Sequence, residues 1–368
     1  HALRDIARGY RESLPCRCVG ITGSVGKTTT KEMIAAVLRT ALRTQWTEKN
    51  YNNEIGLPVS VLRLKPDCEA AVLEMGMNHF GELSVLTRIA QPDLAVITNI
   101  GTMHIKNLGS REGILRAKLE ILEGLRPGGR IIFNGDDALL RPLAARYHAV
   151  CFGLSEGCDV RASRVCESAE GSKFTVHAFG KSFEAALSVP GLHNVLDALA
   201  AAAVGLLLGL SPEQIAEGLR SYAPLRQRVS HAAGMTIIDD CYNAGPESMR
   251  AALRVLAGTP TEGRRIAVLG GMLELGDFAP ELHAGVGREA AKTADLLLAY
   301  GPCSECYVQG AHEAGLAGAR AFATHDALVA ALEETCRAGD TLLFKGSHGM
   351  HMEQVLARFL KTKEHMGE

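Results

Sequence analysis

The stretch GITGSVGKTTTKEMIAAVL, residues 20–38, places a glycine-rich turn between a short apolar run and a helical pattern. Backbone N–H groups of such a turn, together with the N-terminus of a helix, bind phosphate oxygens. Lys27 would neutralise those oxygens, and the Thr28 hydroxyl would be available to Mg²⁺. The Walker A pattern needs a glycine five residues before Gly26, where Ile21 stands. Despite this departure, the stretch predicts a nucleoside triphosphate site.

Further apolar runs follow this stretch, each separated from the next by an amphipathic segment. Such alternation is typical of a parallel sheet covered by helices. The predicted strands are residues 18–22, 70–74, 94–100 and 130–134 in the first half and 235–239, 265–270, 295–301 and 340–346 in the second. We therefore predict an α/β protein with a P-loop-type, mostly parallel ATPase domain (1–229) followed by a Rossmann-like α/β domain (230–368).

Between these two sets of strands the pattern changes. Residues 173–191 alternate apolar and polar side chains around a glycine, which predicts a hairpin and hence a small antiparallel appendage. Helices are predicted at 193–209 and 212–221, the second with Ser211 as its N-cap and Pro212 in its first turn.

Composition limits the classes of partner. With 39 basic and 41 acidic side chains the formal net charge is -2, so no global positive field favours nucleic acid as the main partner. The longest apolar run, from Ala198 to Leu210, is about half the ~20 residues that cross a bilayer, which predicts a buried helix and no membrane insertion. No secretory leader is visible, and the scattered cysteines indicate reduced thiols and a cytoplasmic protein. The spacing of Cys303 and Cys306 occurs in zinc sites, but no second pair matches it.

Three side chains in the first half are candidates for metal chemistry. Glu74 ends a predicted strand on the same sheet edge as the glycine-rich turn, where a carboxylate would complete Mg²⁺ coordination. A helix cap is the alternative for Glu74. His104 follows another strand end and is alternatively a hydrogen-bonded loop histidine. Lys118 lies on the next helix, with a half-buried lysine stem as its alternative.

Eight ordered blocks of sequence together resemble the Mur ligase family. The blocks are GITGSVGKTTTKEMI, NYNNEIGLP, LEMGMNHFGEL, ITNIGTMHI, SREGILRAKLEIL, GLHNVLDALAA, DDCYNAGPESM and LGGMLELG. They span nearly the whole chain. In that family the loop is spaced T-G-x-x-G-K-T, so the missing Walker glycine is not needed.

The resemblance implies an ATP-dependent ligase of the acid–amino-acid type that joins a carboxylate to an amine through an acyl phosphate. Within the family the match is to members that join UDP-muramoyl tripeptide and D-alanyl-D-alanine in peptidoglycan synthesis. We also predict a monomer, although the sequence does not fix the oligomeric state. Thr28 and Glu74 would hold a first Mg²⁺, and His104 with a carbamate on Lys118 would serve a second. Carbamylation needs a neutral amine, which burial favours by lowering the pKa of a lysine.

The resemblance also implies a set of nucleotide contacts. Those around the phosphates are Gly23, Ser24, Gly26, Lys27, Thr28 and Thr29. Asn194 and Asp197 would pack against adenine, although the family has Asn where Asp197 stands, which puts the bond to the adenine edge in doubt. Arg228 would reach the phosphates, and Asp240, with Tyr242 and Asn243 beside it, would bind the ribose.

Several departures leave alternatives open. Gly245, Gly271 and His348 replace a usual Asn, Asp and Arg near the expected place of the incoming amine. His348 and His351 suggest a metal, but their spacing is more often incidental. Only residues 1–19 precede the loop, where the family has a further domain that binds UDP, so either that domain is missing here or the protein is a shortened homologue. The alternatives are a ligase for a different small carboxylate and a non-catalytic ATP-binding module.

Overall fold

The computed structural model describes residues 1–168, 170–224 and 228–365. The chain divides into two compact units, His1–Ala223 and Pro224–Glu368. The boundary placed from the sequence, between 229 and 230, lies a few residues further along the chain. Each unit has its own sheet and its own apolar core.

The first unit alternates strands and helices, as the sequence predicted. Its strands are β1 (Arg17–Thr22), β2 (Thr44–Trp46), β3 (Ala70–Glu74), β4 (Leu94–Ile97), β5 (Arg130–Asn134), β6 (Val150–Gly153), β7 (Val160–Ser168), β8 (Gly171–Ala178) and β9 (Lys181–Leu187). Its α-helices are α1 (Ala2–Ser13), α2 (Lys27–Leu38), α3 (Gly56–Leu62), α4 (Glu82–Ala90), α5 (Ile105–Leu108), α6 (Arg111–Leu119), α7 (Ala144–Tyr147), α8 (Leu192–Leu207) and α9 (Pro212–Ser221).

The strands of this unit form one sheet in the order β2-β3-β1-β4-β5-β6-β7-β8-β9. Every neighbouring pair from β2 to β7 is parallel, while β7, β8 and β9 pair antiparallel. The predicted hairpin is confirmed as β8 and β9. It continues the main sheet through β7, because Phe152 of β6 pairs with Val160 of β7.

Helix α8 explains the longest apolar run of the sequence. It contacts α2 as well as β5, β6 and β7, and every residue from Ala198 to Val204 is fully buried. Helix α9 begins with a capping box, in which Ser211 accepts a hydrogen bond from the amide of Gln214 and the Gln214 side chain accepts one in return. The predicted buried helix and the predicted N-cap are therefore both confirmed. No helix in the described part of the chain is long and apolar enough to cross a membrane.

The second unit is a smaller α/β sheet. Its strands are β10 (Arg228–Ala232), β11 (Met235–Asp240), β12 (Arg265–Gly270), β13 (Leu296–Tyr300), β14 (Ala319–Phe322) and β15 (Thr341–Lys345). Its α-helices are α10 (Pro246–Gly258), α11 (Ala279–Thr293), α12 (Ser304–Glu313), α13 (His325–Thr335) and α14 (Met352–His365). The order is β10-β11-β15-β12-β13-β14, and only the pair of β10 and β11 is antiparallel. Strands β13 and β14 follow β12 on one side of it, whereas β15 lies on its other side. Ligands of such sheets commonly bind where the order of the strands reverses in this way.

A buried carboxylate just before β15, that of Asp340, connects two segments of the second unit by hydrogen bonds. Asp340 accepts hydrogen bonds from the backbone and side chain of Arg264, at 2.9 and 2.7 Å, and from the backbone of Arg337 at 2.9 Å. Burial acts to raise the pKa of Asp340, but the bonds from Arg264 and Arg337 outweigh it and hold that pKa below its ordinary value. The ionised carboxylate is thus the form that the fold stabilises.

Replacing Asp340 with asparagine is expected to lower the free energy of unfolding at pH 7 by about 2 kcal/mol. The pKa of Asp340 is lower in the folded state, so its contribution is complete above the unfolded pKa of ~4 and disappears as pH falls through the folded value. The difference between Asp340→Asn and wild type should therefore shrink in acid, as measured by urea unfolding at several pH values. Asp326→Asn, at an exposed pair with Arg358, is the control and should change little. A pH-independent loss for Asp340→Asn would contradict the expectation.

Candidate active site

The turn between β1 and α2, residues 23–26, is called the phosphate loop below. Gly26 is the N-cap of α2 and has φ of 87°, a left-handed conformation that favours glycine. A Cβ at Gly26 would lie 2.7 Å from the Oδ1 atom of Asp197, and one at Gly23 would lie 1.8 Å from the Oγ1 atom of Thr98. A larger residue at either glycine would clash with a neighbouring side chain, because Asp197 packs against the loop at Gly26 and Thr98 packs against it at Gly23.

Residues that follow β4 hold the phosphate loop in place. The amide of Val25 donates to the Oδ1 atom of Asn99 at 2.9 Å, and the Thr98 hydroxyl donates to the carbonyl of Val25 at 2.6 Å. The amide of Gly101 donates to the Ser24 hydroxyl at 2.9 Å. These bonds connect the phosphate loop to the segment that follows β4. Sequence reasoning missed the roles of Thr98 and Asn99, for which their position at the end of a strand next to β1 was the only signal.

Lys27 lies across the phosphate loop. Its Nζ atom donates to the carbonyl of Gly23 at 2.8 Å and to that of Ser24 at 3.3 Å. Thr28 and Thr29 follow in the first turn of α2, whose backbone N–H groups take no part in the hydrogen bonds within the helix. An ammonium group, a helix N-terminus and a rigid loop thus meet at one place, as binding of a polyphosphate requires.

Glu74 is the last residue of β3 and pairs in register with Ile21 of β1, so it lies beside the entry to the phosphate loop. Its side chain is buried, and its Oε1 atom accepts a hydrogen bond of 2.7 Å from the Nδ2 atom of Asn52. The Oε2 atom is also buried and has no hydrogen-bond partner within the described residues. A buried carboxylate oxygen without a partner is costly unless a cation binds it.

The alternative role of Glu74 as a helix cap does not match this geometry. The next helix, α4, begins at Glu82, and the amides of Gly81 and Ser84 at its start donate to the carboxylate of Glu120. The free oxygen of Glu74 therefore fits a metal ion better than a cap.

Lys118 is buried along its whole length on α6, with 2% of its surface exposed. Burial, and after it the positive charge of Lys27, lowers the pKa of Lys118 well below its ordinary value. Lys118 therefore lies near the phosphate loop and favours its neutral amine. His104 is the N-cap of α5, with φ of 63°, and α5 packs against α6.

No group of three or more His, Cys, Asp or Glu side chains forms a metal site in the parts of the chain that the structure describes. The predicted magnesium set contains only one carboxylate, Glu74. Further oxygen ligands there would have to come from other groups, such as a hydroxyl or a modified lysine.

Helix α8 carries the two residues expected near adenine. The Nδ2 atom of Asn194 donates to the carbonyl of Pro190 at 2.6 Å. The Oδ1 atom of Asp197 accepts a hydrogen bond of 2.8 Å from the Thr30 hydroxyl and lies against Gly26. Asp197 thus connects α8 to the start of α2. The adenine contacts of both residues stay predictions.

The remaining predicted nucleotide contacts lie in the second unit. Asp240, the last residue of β11, forms an ion pair of 2.6 Å with the buried Lys345, whose Nζ atom also donates to the carbonyl of Asn243 at 2.9 Å. Tyr242 is 43% exposed, and Arg228 is an exposed residue at the start of β10. Sequence reasoning missed Lys345, which meets Asp240 only because β11 and β15 are neighbours. The roles of Arg228, Asp240, Tyr242 and Asn243 stay predictions.

Two family models match this chain: the Mur ligase middle domain over residues 21–205, and the Mur ligase glutamate ligase domain over residues 226–348. The chain belongs to the Mur ligase family. The resemblance inferred from the eight sequence blocks is therefore confirmed, and so is the predicted α/β fold class.

Relatives within the Mur ligase family match over nearly the whole chain. The UDP-N-acetylmuramoyl-tripeptide–D-alanyl-D-alanine ligase of Bacillus subtilis is 39% identical over 98% of this chain and 79% of its own length. The Escherichia coli ligase of the same name is 35% identical over 96% of this chain and 79% of its own length.

Solved structures agree. MurF from Acinetobacter baumannii has a TM-score of 0.90 and 34% identity, covering 98% of this chain and 80% of that one. The MurF ligase from Thermotoga maritima in complex with ADP has a TM-score of 0.89 and 30% identity, covering 99% of this chain and 84% of that one.

Proposed function

We propose that this protein is an ATP-dependent ligase that adds D-alanyl-D-alanine to UDP-N-acetylmuramoyl-tripeptide through an acyl phosphate, in cytoplasmic peptidoglycan precursor synthesis. The observation that carries the proposal is the 39% identity, over 98% of this chain, to a relative with that name. The phosphate loop supports use of ATP, as does the similar MurF ligase from Thermotoga maritima, which was solved in complex with ADP. All ten cysteines are free thiols, which suits a reducing compartment.

The residues of the first unit have separate roles in this reaction. The phosphate loop and Lys27 hold the triphosphate and neutralise its oxygens. Thr28 and the free oxygen of Glu74 would hold one Mg²⁺, whose charge offsets the negative charge that moves during phosphoryl transfer. The carboxylate substrate would attack the terminal phosphorus and displace ADP, and the amine would then attack the acyl carbon and displace phosphate, losing one proton to solvent.

Lys118 and His104 would serve a second Mg²⁺. The neutral amine of Lys118 would attack CO₂, forming an N–C bond and releasing one proton to solvent, and the resulting carbamate is an oxygen ligand. The neighbouring charge of Lys27, which disfavours an ammonium at Lys118, favours an anion there. Burial thus promotes the first half of the modification by favouring the neutral amine, whereas the charge of Lys27 promotes both halves.

A second candidate is a ligase of the same mechanism for a different small carboxylate, and the departures near the expected place of the incoming amine raise the question of a different amine as well. In this chain a Cβ at Gly271 would lie 2.9 Å from the carbonyl oxygen of Pro302 and 3.4 Å from the Sδ atom of Met350. An acidic side chain there would force its neighbours to move, so the departure from the usual Asp is part of the local packing. An ATP-binding module without catalysis fits less well, because it has no use for the lone oxygen of Glu74 or for a buried Lys118.

The test is release of ADP by the purified full-length gene product with MgATP. Release is expected only when UDP-N-acetylmuramoyl-tripeptide and D-alanyl-D-alanine are both present, together with a product whose mass is their sum less one water. Omitting each substrate in turn provides the controls. Release without the tripeptide would indicate a plain ATPase, and release with another dipeptide in place of D-alanyl-D-alanine would support the second candidate.

A further inference from the structure

Two residues of the segment between β2 and α3 bond to Glu74, Thr47 to its backbone amide and Asn52 to its carboxylate. The hydroxyl of Thr47, a fully buried residue, accepts a hydrogen bond of 3.0 Å from the amide of Glu74. The carbonyl of Thr47 accepts a bond of 2.7 Å from the Nζ atom of Lys31, which is itself 1% exposed. Lys31 belongs to α2, so the helix that begins at the phosphate loop is connected to the end of β3 through Thr47.

Asn52 holds the carboxylate end of the same residue. The side-chain Nδ2 atom of Asn52 donates to the Oε1 atom of Glu74 at 2.7 Å, while the backbone carbonyl of Asn52 accepts a bond of 2.8 Å from the amide of Gly76. A Cβ at Gly76 would lie 3.1 Å from the Oδ1 atom of Asn52, which is closer than an ordinary contact. The Asn52 amide group therefore lies between the Glu74 carboxylate and the backbone at Gly76, which limits it to one orientation.

An amide suits this position for a physical reason. It donates a hydrogen bond to the carboxylate but carries no charge. A lysine at this point would neutralise Glu74 and compete with a cation, whereas a second carboxylate would repel Glu74. With Oε1 engaged by an uncharged donor, the carboxylate keeps its net negative charge, and Oε2, the oxygen without a partner, is available to a cation.

We propose that Asn52 is a positioning residue, which fixes Glu74 through Oε1 so that Oε2 is presented to the divalent cation bound with the nucleotide. This inference rests on the proposed function. Partners that orient a metal ligand typically contribute about 10–100-fold to metal affinity. Without Asn52, Glu74 would keep its backbone bond to Thr47 but lose the contact that orients its carboxylate.

The test uses electron paramagnetic resonance to compare Mn²⁺ binding by wild type and by Asn52→Ala in the presence of ADP. It also measures, for both proteins, the Mg²⁺ concentration that half-saturates turnover. Asn52→Ala is expected to lower the Mn²⁺ affinity and to raise the half-saturating Mg²⁺ concentration, each by about 10–100-fold. The KM for D-alanyl-D-alanine should be unchanged. Gly76→Ala, which presses on the Asn52 amide without removing it, should act in the same direction but less strongly.

Asn53→Ala is the matched control. The Oδ1 atom of Asn53 accepts hydrogen bonds from the amides of Ile55 and Gly56 at the start of α3, so its loss should lower the melting temperature without changing Mn²⁺ affinity. Equal Mn²⁺ affinity in wild type and a folded Asn52→Ala variant would overturn the inference. If Asn52→Ala does not fold, an unchanged affinity in Gly76→Ala overturns it instead. A wild type that binds no Mn²⁺ with ADP and releases no ADP would count against the proposed function itself.

Discussion

Replacing Lys118 with alanine is expected to reduce the rate of amide formation by about 10²–10³-fold in a chain that still folds. The side chain is 2% exposed, and its pKa is lowered well below the ordinary value by burial and by the charge of Lys27. Burying an ammonium in this position is costly, so Lys118→Ala should not reduce stability through loss of charge. The expected loss is therefore one of chemistry, measured as the kcat for ADP release with both substrates present.

The carbamate can be observed directly. In wild type supplied with carbon-13-labelled bicarbonate, a carbamate signal is expected that Lys118→Ala lacks. The signal should persist to lower pH than for an exposed lysine, because only the neutral amine reacts and the pKa of Lys118 is lowered. Arg116→Ala is the control, since Arg116 is an exposed cation of the same helix that lies over the ring of Phe80. Unchanged turnover in Lys118→Ala would favour a plain ATPase or a non-catalytic nucleotide-binding module.

The strands around the phosphate loop could be predicted from the sequence because their signals are local. Residues 18–22 and 70–74 are short apolar runs that end in turn residues, and the structure shows strands there as β1 and β3. Strands β2 and β14, of three and four residues, have too few side chains for a periodic pattern. The predicted strand 94–100 ends earlier, at Ile97, because the next side chains bond to the phosphate loop.

The partners of the candidate site residues could not be predicted in the same way. Asn52 reaches Glu74 because β2 and β3 are neighbours, and Thr98 reaches Val25 because β1 and β4 are neighbours. Those contacts join residues far apart in the sequence, and the pairing of strands that creates them leaves no local pattern. The type of a functional residue was thus visible in the sequence, whereas the group that orients it was not.

Replacing Lys27 with methionine is expected to weaken ADP binding and to lower kcat by about 10²–10³-fold, because the ammonium that faces the phosphates is lost. Methionine keeps much of the apolar stem, so the change is mainly one of charge. The hydrogen bonds from Lys27 to the carbonyls of Gly23 and Ser24 are lost as well. Bonds from Thr98 and Asn99 still hold the loop, so the melting temperature should fall only slightly.

The same variant should also change Lys118. The charge of Lys27 contributes to the lowered pKa of Lys118, so Lys27→Met should raise that pKa and reduce the fraction of neutral amine at a given pH. A weaker carbamate signal is therefore expected at fixed bicarbonate, even without nucleotide. Lys106→Met, at an exposed position on α5, is the control and should leave both ADP affinity and the signal unchanged. If Lys27→Met lost ADP affinity but kept the full signal, burial alone would govern the amine, and the two lysines would act independently.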